Sequence, residues 1–306
     1  MGPPRPFPAG CFMRQFVIVF LFLHILAACQ PGGDGEEHFQ IYVVDSNGEN
    51  LQVLLDDSEQ SYWSPVWSPD GGRIMTFVQQ SGESHAEIYA IDPASGDSTQ
   101  LTDNGRTNWF PVPSPDGQSL VYLSQDGDTS TIEIHRLNIE NGEEIALTEN
   151  EAFEYGMSWS QDSRRFVFGS ELGGEWQIYV MDLATGEASP LETPQHGNSP
   201  SWSPDEAWIV FTSDRDGEDD LYLSRIDGSE LQNLTDNEAW DDNPRWSPDG
   251  TRIAFVSDRN GVADIYVMDM SDGSLVNLTE DFDAPAGFPA WSPDGRQIIF
   301  HAERGS

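Results

Sequence analysis

A five-residue string, Trp-Ser-Pro-Asp-Gly, recurs along the chain at a nearly fixed period. This recurrence constrains the fold more than any other feature of the sequence. The string stands complete at Trp67–Gly71, Trp246–Gly250 and Trp291–Gly295. Eroded copies stand at Pro113–Gly117 (tryptophan lost), Trp159–Ser163 (proline and glycine lost) and Trp202–Glu206 (glycine lost). The starts fall at 67, 113, 159, 202, 246 and 291, giving spacings of 46, 46, 43, 44 and 45 residues. A period of this size marks a propeller or a solenoid.

The residues around each copy follow one grammar. A proline sits two residues before the start, at Pro65, Pro111, Pro200, Pro244 and Pro289, with Met157 the exception. Pro-Asp-Gly turns tightly, because proline presets φ, aspartate bonds nearby backbone and glycine accepts positive φ. A β-rich run follows, such as Arg252–Ser257, then a polar turn, Asp258–Gly261, then the alternating run Ile265–Asp269. A second glycine turn, Asp272-Gly273, leads into a short run that ends Leu278-Thr279. Four short strands per ~45 residues make one propeller blade, whose faces are buried only by its neighbours.

The two ends of the chain account for the blade count. The sixth copy stops at Ser306 after its first strands. The missing pair is at the front, in Gln40–Asp45, the Asn47-Gly48 turn and Leu51–Leu55. The expected fold is therefore all-β: a six-bladed propeller over residues 39–306, with one blade closed by strands from both ends.

The Trp-Ser-Pro-Asp-Gly string, the Ile265-Tyr266-Val267-Met268-Asp269 run and the terminal Leu-Thr resemble the TolB-type propeller repeat, a relative of WD repeats. The resemblance covers residues 39–306. It implies the fold and says little about function, because many unrelated proteins carry this propeller. The family's namesake carries an α/β domain ahead of its propeller. Here about ten residues stand in that place, so the expectation is a TolB-like protein and not the namesake.

Residues 1–28 read as an export signal. Arg5 and Arg14 precede the apolar run Phe16–Ile25, which is short for a membrane span. The run ends Leu26-Ala27-Ala28-Cys29, which resembles the bacterial lipobox. The resemblance implies cleavage before Cys29 and acylation of that cysteine, with residues 29–38 left as a polar tether. Cys11 leaves with the signal, so the exported chain has no disulfide.

The net charge is −39, and all fourteen basic residues are arginine. Such a surface argues against nucleic acid and against direct contact with anionic headgroups. Membrane attachment is then expected through lipid only. The acidity is read first as solubilising, and second as adaptation to salt.

No catalytic constellation stands out, and no cofactor or metal is expected. Gly156-Met157-Ser158-Trp159-Ser160 lacks the last glycine of a nucleophile elbow. The Asp214–Asp220 stretch is acid-rich but departs from the EF-hand pattern, so a hairpin turn is the first reading and calcium the second.

The informative stretch is the connector ahead of each copy, which leads from the outer strand of one blade to the inner strand of the next. Four residues before the start the series runs Trp63, Trp109, Tyr155, Asn198, Asp242, Gly287. Phe110, His196, Trp240, Asp241 and Phe288 lie close by. Tryptophan in solvated connectors points to a binding face. The competing reading is that these rings cap the contacts between blades. The expected role is a binding or scaffold module for an envelope protein or peptide, acting as a monomer and not an enzyme. Alternatives are glycan binding by stacked rings and, behind it, a glycan-active enzyme using connector carboxylates.

Overall fold

The computed structural model describes residues 38–57, 59–80, 85–127, 131–192 and 196–303. The signal segment, Cys29 and most of the tether lie outside these residues. Among these residues, twenty-four strands form six four-stranded antiparallel sheets. The first described strands are β1 (Phe39–Asp45) and β2 (Gln52–Leu55). Blade 1 is β3 (Gln60–Trp67), β4 (Ile74–Gln80), β5 (Ala86–Ile91) and β6 (Ser98–Gln100). Blade 2 is β7 (Thr107–Pro113), β8 (Ser119–Gln125), β9 (Ile132–Asn138) and β10 (Glu144–Ala146). Blade 3 is β11 (Glu154–Trp159), β12 (Arg165–Ser170), β13 (Gln177–Asp182) and β14 (Glu187–Pro190). Blade 4 is β15 (Gly197–Trp202), β16 (Trp208–Ser213), β17 (Asp220–Arg225) and β18 (Gln232–Asn233). Blade 5 is β19 (Asp241–Trp246), β20 (Arg252–Ser257), β21 (Asp264–Asp269) and β22 (Leu275–Asn277). Blade 6 joins β23 (Ala286–Trp291) and β24 (Gln297–Glu303) to the first two strands, in the order β2-β1-β24-β23. The β1–β24 pairing runs unbroken from Phe39↔Glu303 to Asp45↔Gln297. The expected closure by both chain ends is what the fold shows, and it leaves the ring without an open edge at the seam.

The repeated string forms the turn from the first to the second strand of each blade. Its serine hydroxyl donates to its aspartate at 2.6–2.7 Å in all six copies. The same aspartate oxygen accepts the backbone N–H two residues on. Ser and Asp are thus the invariant parts of the turn, and they survive in every eroded copy. The residue after Asp is left-handed throughout, including Ser163 (φ 58°) and Glu206 (φ 57°) where glycine is lost. Both replacements tie the turn to a neighbouring blade. Ser163 Oγ accepts the Asp116 amide, and Glu206 accepts the Gln161 amide and pairs with Arg165. Two tryptophans of the string also stitch blades together. Trp159 Nε1 donates to Val112 O and Trp291 Nε1 to Arg245 O, each on the preceding blade.

Candidate functional site

In an antiparallel four-stranded blade, links between strands one and two and between three and four share one end. The middle hairpin and the connector to the next blade share the other. The connectors therefore gather on one face of the ring, and each feeds an inner strand.

Every inner strand loses register with its partner at one place. The break falls between Trp63 and Val66 in β3, Trp109 and Val112 in β7, and Tyr155 and Ser158 in β11. It recurs between Asn198 and Ser201, Asp242 and Arg245, and Gly287 and Ala290. The first residue inside each break has positive φ: Ser64, Phe110, Gly156, Ser199, Asn243 and Phe288. In five blades the second is proline, which has no N–H to give the ladder and so suits a bulge. A bulge re-aims the side chain it carries.

The re-aimed side chains meet at the axis. Phe110 of blade 2 stacks on Phe288 of blade 6 at 5.4 Å between centroids, and Tyr155 of blade 3 packs edge-on to Phe110 at 5.3 Å. Tyr155 donates its hydroxyl to Asn243 Oδ1 of blade 5 at 3.1 Å. Burial drives the Tyr155 phenol well above its usual range, so it stays a donor. The Phe110–Phe288 and Tyr155–Asn243 contacts each skip a blade, and with the Phe110–Tyr155 contact they plug the channel. The plug is lopsided. Its blade 4–5 side is polar, with Asn198, Ser199, Asp242 and Arg245. Burial raises the Asp242 carboxyl and lowers the Arg245 guanidinium.

The structure corrects the placement of the expected site residues. Trp63, Trp109, Tyr155, Asn198 and Asp242 lie inside inner strands and not in loops. Trp63 is 5% and Trp109 1% exposed. Trp63 packs on Phe39, Phe77 and His301. Phe110 and Phe288 belong to the plug. Asp241 is buried and paired with Arg259 at 2.9 Å and Asn237 at 2.7 Å. Asp242 accepts Thr212 Oγ1 at 2.6 Å and Asn243 Nδ2 at 3.0 Å. Neither aspartate is held ready for a cation. Trp240 is half-buried against the blade 5–6 core. His196 is exposed, with Nδ1 3.2 Å from Asp214. The acids of Asp214–Asp220 point to separate partners: Asp214 to His196, Asp216 to Tyr222, and Asp220 to Asn233 and Thr235. Among the described residues no three His, Cys, Asp or Glu converge as a metal site.

A cavity of about 420 Å³ lies on the connector face of blade 2. Its wall includes Ser124, Glu133, His135, Ala146, Thr148 and Arg106. Asp126, Glu149 and Glu151 add acidity around it. Among the described residues, three polar atoms in this wall have no hydrogen-bond partner: Ser124 Oγ, Glu133 Oε2 and His135 Nδ1. Arg106 Nη1 lies 3.3 Å from His135 Nε2. A guanidinium only donates, so Nε2 accepts and the imidazole proton sits on Nδ1. Burial, with Arg106 beside it, keeps the ring's pKa below its usual value.

The model of the TolB beta propeller domain matches residues 25–198 and 191–306. The chain belongs to the TolB beta propeller domain family. Among solved structures, this TolB-type propeller is similar to a candidate TolB from Agrobacterium tumefaciens. The two share 25% identity at a TM-score of 0.74, over 89% of this chain and all of that one. It is also similar to TolB from Acinetobacter baumannii, at 19% identity and a TM-score of 0.64, over 90% of this chain and 65% of that one. An oligogalacturonate lyase from Vibrio parahaemolyticus shares the fold at 15% identity and a TM-score of 0.56, over 88% and 98% of the two chains. In this TolB-type propeller the blade 2 cavity escaped sequence reasoning. A signal was present: the Ile-Tyr or Leu-Tyr pair of the third strand, found in five blades, becomes Ile134-His135 in blade 2.

Proposed function

We propose that this chain is an exported, lipid-anchored propeller that binds a protein or peptide of the cell envelope on its connector face, without catalysis. The observation that carries the reading is the blade 2 cavity. It opens on the face where connectors and middle hairpins gather, and its wall holds polar atoms that have no partner among the described residues. Unpaired buried polar groups are costly, so a site that retains them suits a ligand that completes their bonds. The plugged axis adds a rigid floor, which limits the ordering cost of docking. The Leu26–Cys29 string supports export and lipid attachment, with the tether allowing the disc to face a partner. The test has two arms. Mass spectrometry of the mature N-terminus should find acylated Cys29, and Cys29→Ala should remove the acyl mass. Crosslinking in intact cells should then recover an envelope protein through probes placed at Glu149 or Trp240. A start elsewhere without lipid would overturn the anchor. Crosslinks only from the opposite face, at Asp249 or Asp294, would overturn the binding face.

A further inference from the structure

The propeller contains its own controls for the blade 2 cavity, because each blade repeats the same register. In blade 5, Ser257 pairs with Asp264, and Tyr266 with Asn277. In blade 4, the same places hold Ser213 and Asp220, and Tyr222 and Asn233. In blade 2, they hold Ser124 and Glu133, and His135 and Ala146.

Blades 4 and 5 fill this spot with an arginine of their own. Arg259 lies over the Tyr266 ring at 4.7 Å and donates Nε–H to Ser257 Oγ at 2.8 Å. Arg215 lies over Tyr222 at 4.6 Å and donates to Ser213 Oγ at 3.0 Å. The neighbouring carboxylates are saturated. Asp264 accepts Asn277 Nδ2 and Thr279 Oγ1 at 2.9 and 2.8 Å, and Asp220 accepts Asn233 Nδ2 and Thr235 Oγ1 at 2.9 and 3.0 Å.

Blade 2 keeps the receptor and loses what fills it. The arginine position is Asp126, the tyrosine is the smaller His135, and the asparagine is Ala146. Thr148 turns its hydroxyl to Glu154 of blade 3 at 2.6 Å. Among the described residues, Glu133 Oε1 takes only the Asn150 amide, at 3.1 Å, and Oε2 takes nothing. Ser124, 2% exposed, is the counterpart of Ser213 and Ser257, whose hydroxyls accept arginine Nε–H, and its own hydroxyl has no partner among the described residues. Arg106 does not substitute, since its hydrogen bond is to His135. What remains is a ring, a hydroxyl and a carboxylate oxygen around a space from which a guanidinium is missing.

We propose that this cavity is a receptor for the guanidinium of an arginine side chain presented by the partner. This rests on the reading of the connector face as a protein- or peptide-binding surface. Ser124 Oγ and Glu133 Oε2 accept the planar donors, and the His135 ring takes the place of the tyrosine under the cation. The chain's large negative charge draws such a partner in.

The probe is N-acetyl-arginine methylamide, titrated against the full chain and followed by NMR at the Ser124, Glu133 and His135 amides. Saturable shifts are expected. The citrulline counterpart, equal in shape and uncharged, should bind about tenfold more weakly or not at all, as should the lysine counterpart, whose ammonium lacks the planar fork and the flat face that stacks on a ring. Glu133→Gln should weaken arginine binding about tenfold. Asp126→Arg combined with His135→Tyr rebuilds the blade 5 arrangement, so the protein's own arginine should occupy the cavity and exclude the probe. This pair fills space and does not open it, and its folding is checked by its melting curve. Equal binding of the arginine and citrulline probes overturns the assignment. So does undiminished binding to the folded, refilled variant. Capture of arginine-free envelope peptides that ignores Glu133→Gln leaves the connector-face reading standing and overturns this inference alone.

Discussion

Tyr155 on blade 3 donates its phenol hydroxyl to Asn243 Oδ1 on blade 5 across 3.1 Å, passing over blade 4. Together with the Phe110–Phe288 stack it makes the axis of the ring a packed plug. Tyr155→Phe keeps the ring and removes the hydrogen bond, at a cost of about 1 kcal/mol. Phe110→Ala deletes a ring packed on Phe77, Tyr155 and Phe288, at a cost of about 3–5 kcal/mol. Denaturant unfolding of both variants checks the order. A smaller loss for Phe110→Ala would show that the ring does not hold the plug.

Trp63 and Trp109, expected from sequence either at a binding face or as caps between blades, are buried in their inner strands. Each truncation to alanine should destabilise the fold by about 3–5 kcal/mol. The accompanying fall in Tm is the measurement. An unchanged Tm with loss of partner capture would restore them to the binding surface.

His301 makes the protein acid-sensitive well above the carboxylate range. Its Nδ1 accepts the Ser64 amide at 3.2 Å, so the buried ring is neutral. Burial pushes its pKa down to about 3 from 6.5. The unfolded chain therefore binds a proton below about pH 6.5 that the folded chain refuses until about pH 3, and stability falls as pH drops through that interval. The stability difference between wild type and His301→Gln should shrink steadily from about pH 7 to about pH 4. A constant difference would show that the ring titrates alike in both states. A second fall comes lower. The Ser247 hydroxyl, followed by the Thr251 amide and hydroxyl, holds Asp249 to about 2 against an ordinary 3.8. That contribution is complete above about pH 4 and is lost as pH falls to about 2.

The blade count, the closure and the turn chemistry were legible in the sequence because they rest on local rules. Pro-Asp-Gly turns, and strands alternate. The bulges were half legible. The proline two residues before each string was visible, but its consequence, a left-handed residue ahead of it aimed at the axis, needed the pairing register. The burial of Trp63 was illegible because it depends on Phe39 and His301, brought against it only by ring closure. The blade 2 cavity was written as departures from the repeat at Asp126, His135 and Ala146. Departures carry meaning only once the structure shows what Arg259, Tyr266 and Asn277 do in the intact copy.

Glu206 holds a left-handed backbone where the intact string has glycine, at a cost of about 1–2 kcal/mol. Its carboxylate offsets part of this through the Gln161 amide at 2.9 Å and Arg165 at 3.1 Å. The Arg165 pair is largely solvated and contributes at most about 1 kcal/mol. Glu206→Ala keeps the strain and loses both bonds, so it should destabilise by about 1 kcal/mol. Glu206→Gly loses the bonds and the strain together, so its melting curve should lie at or above that of Glu206→Ala. The reverse order would show that the left-handed backbone at this position carries no strain that glycine relieves.

Gly156 is the one place where the bulge cannot carry a side chain. Its φ is 67°, and a Cβ there would stand 2.6 Å from Ser199 Cα and 3.1 Å from Ser199 N. Ser199 is itself the bulge residue of blade 4, so the two bulges lean on each other backbone to backbone. Unlike a long side chain, backbone cannot swing aside. Gly156→Ala therefore adds left-handed strain of about 1–2 kcal/mol, and it also forces β11 and β15 apart at the axis. The second effect should be the larger, because displacing β11 breaks the Tyr155–Asn243 bond and loosens Phe110. The expected result is a total loss above about 3 kcal/mol. Ser64→Ala is the control. It has the same handedness at the equivalent bulge of blade 1 and already carries a Cβ, so it should cost well under half as much. Equal melting temperatures for the two variants would show that the approach of Gly156 to Ser199 is not what fixes the spacing of blades 3 and 4.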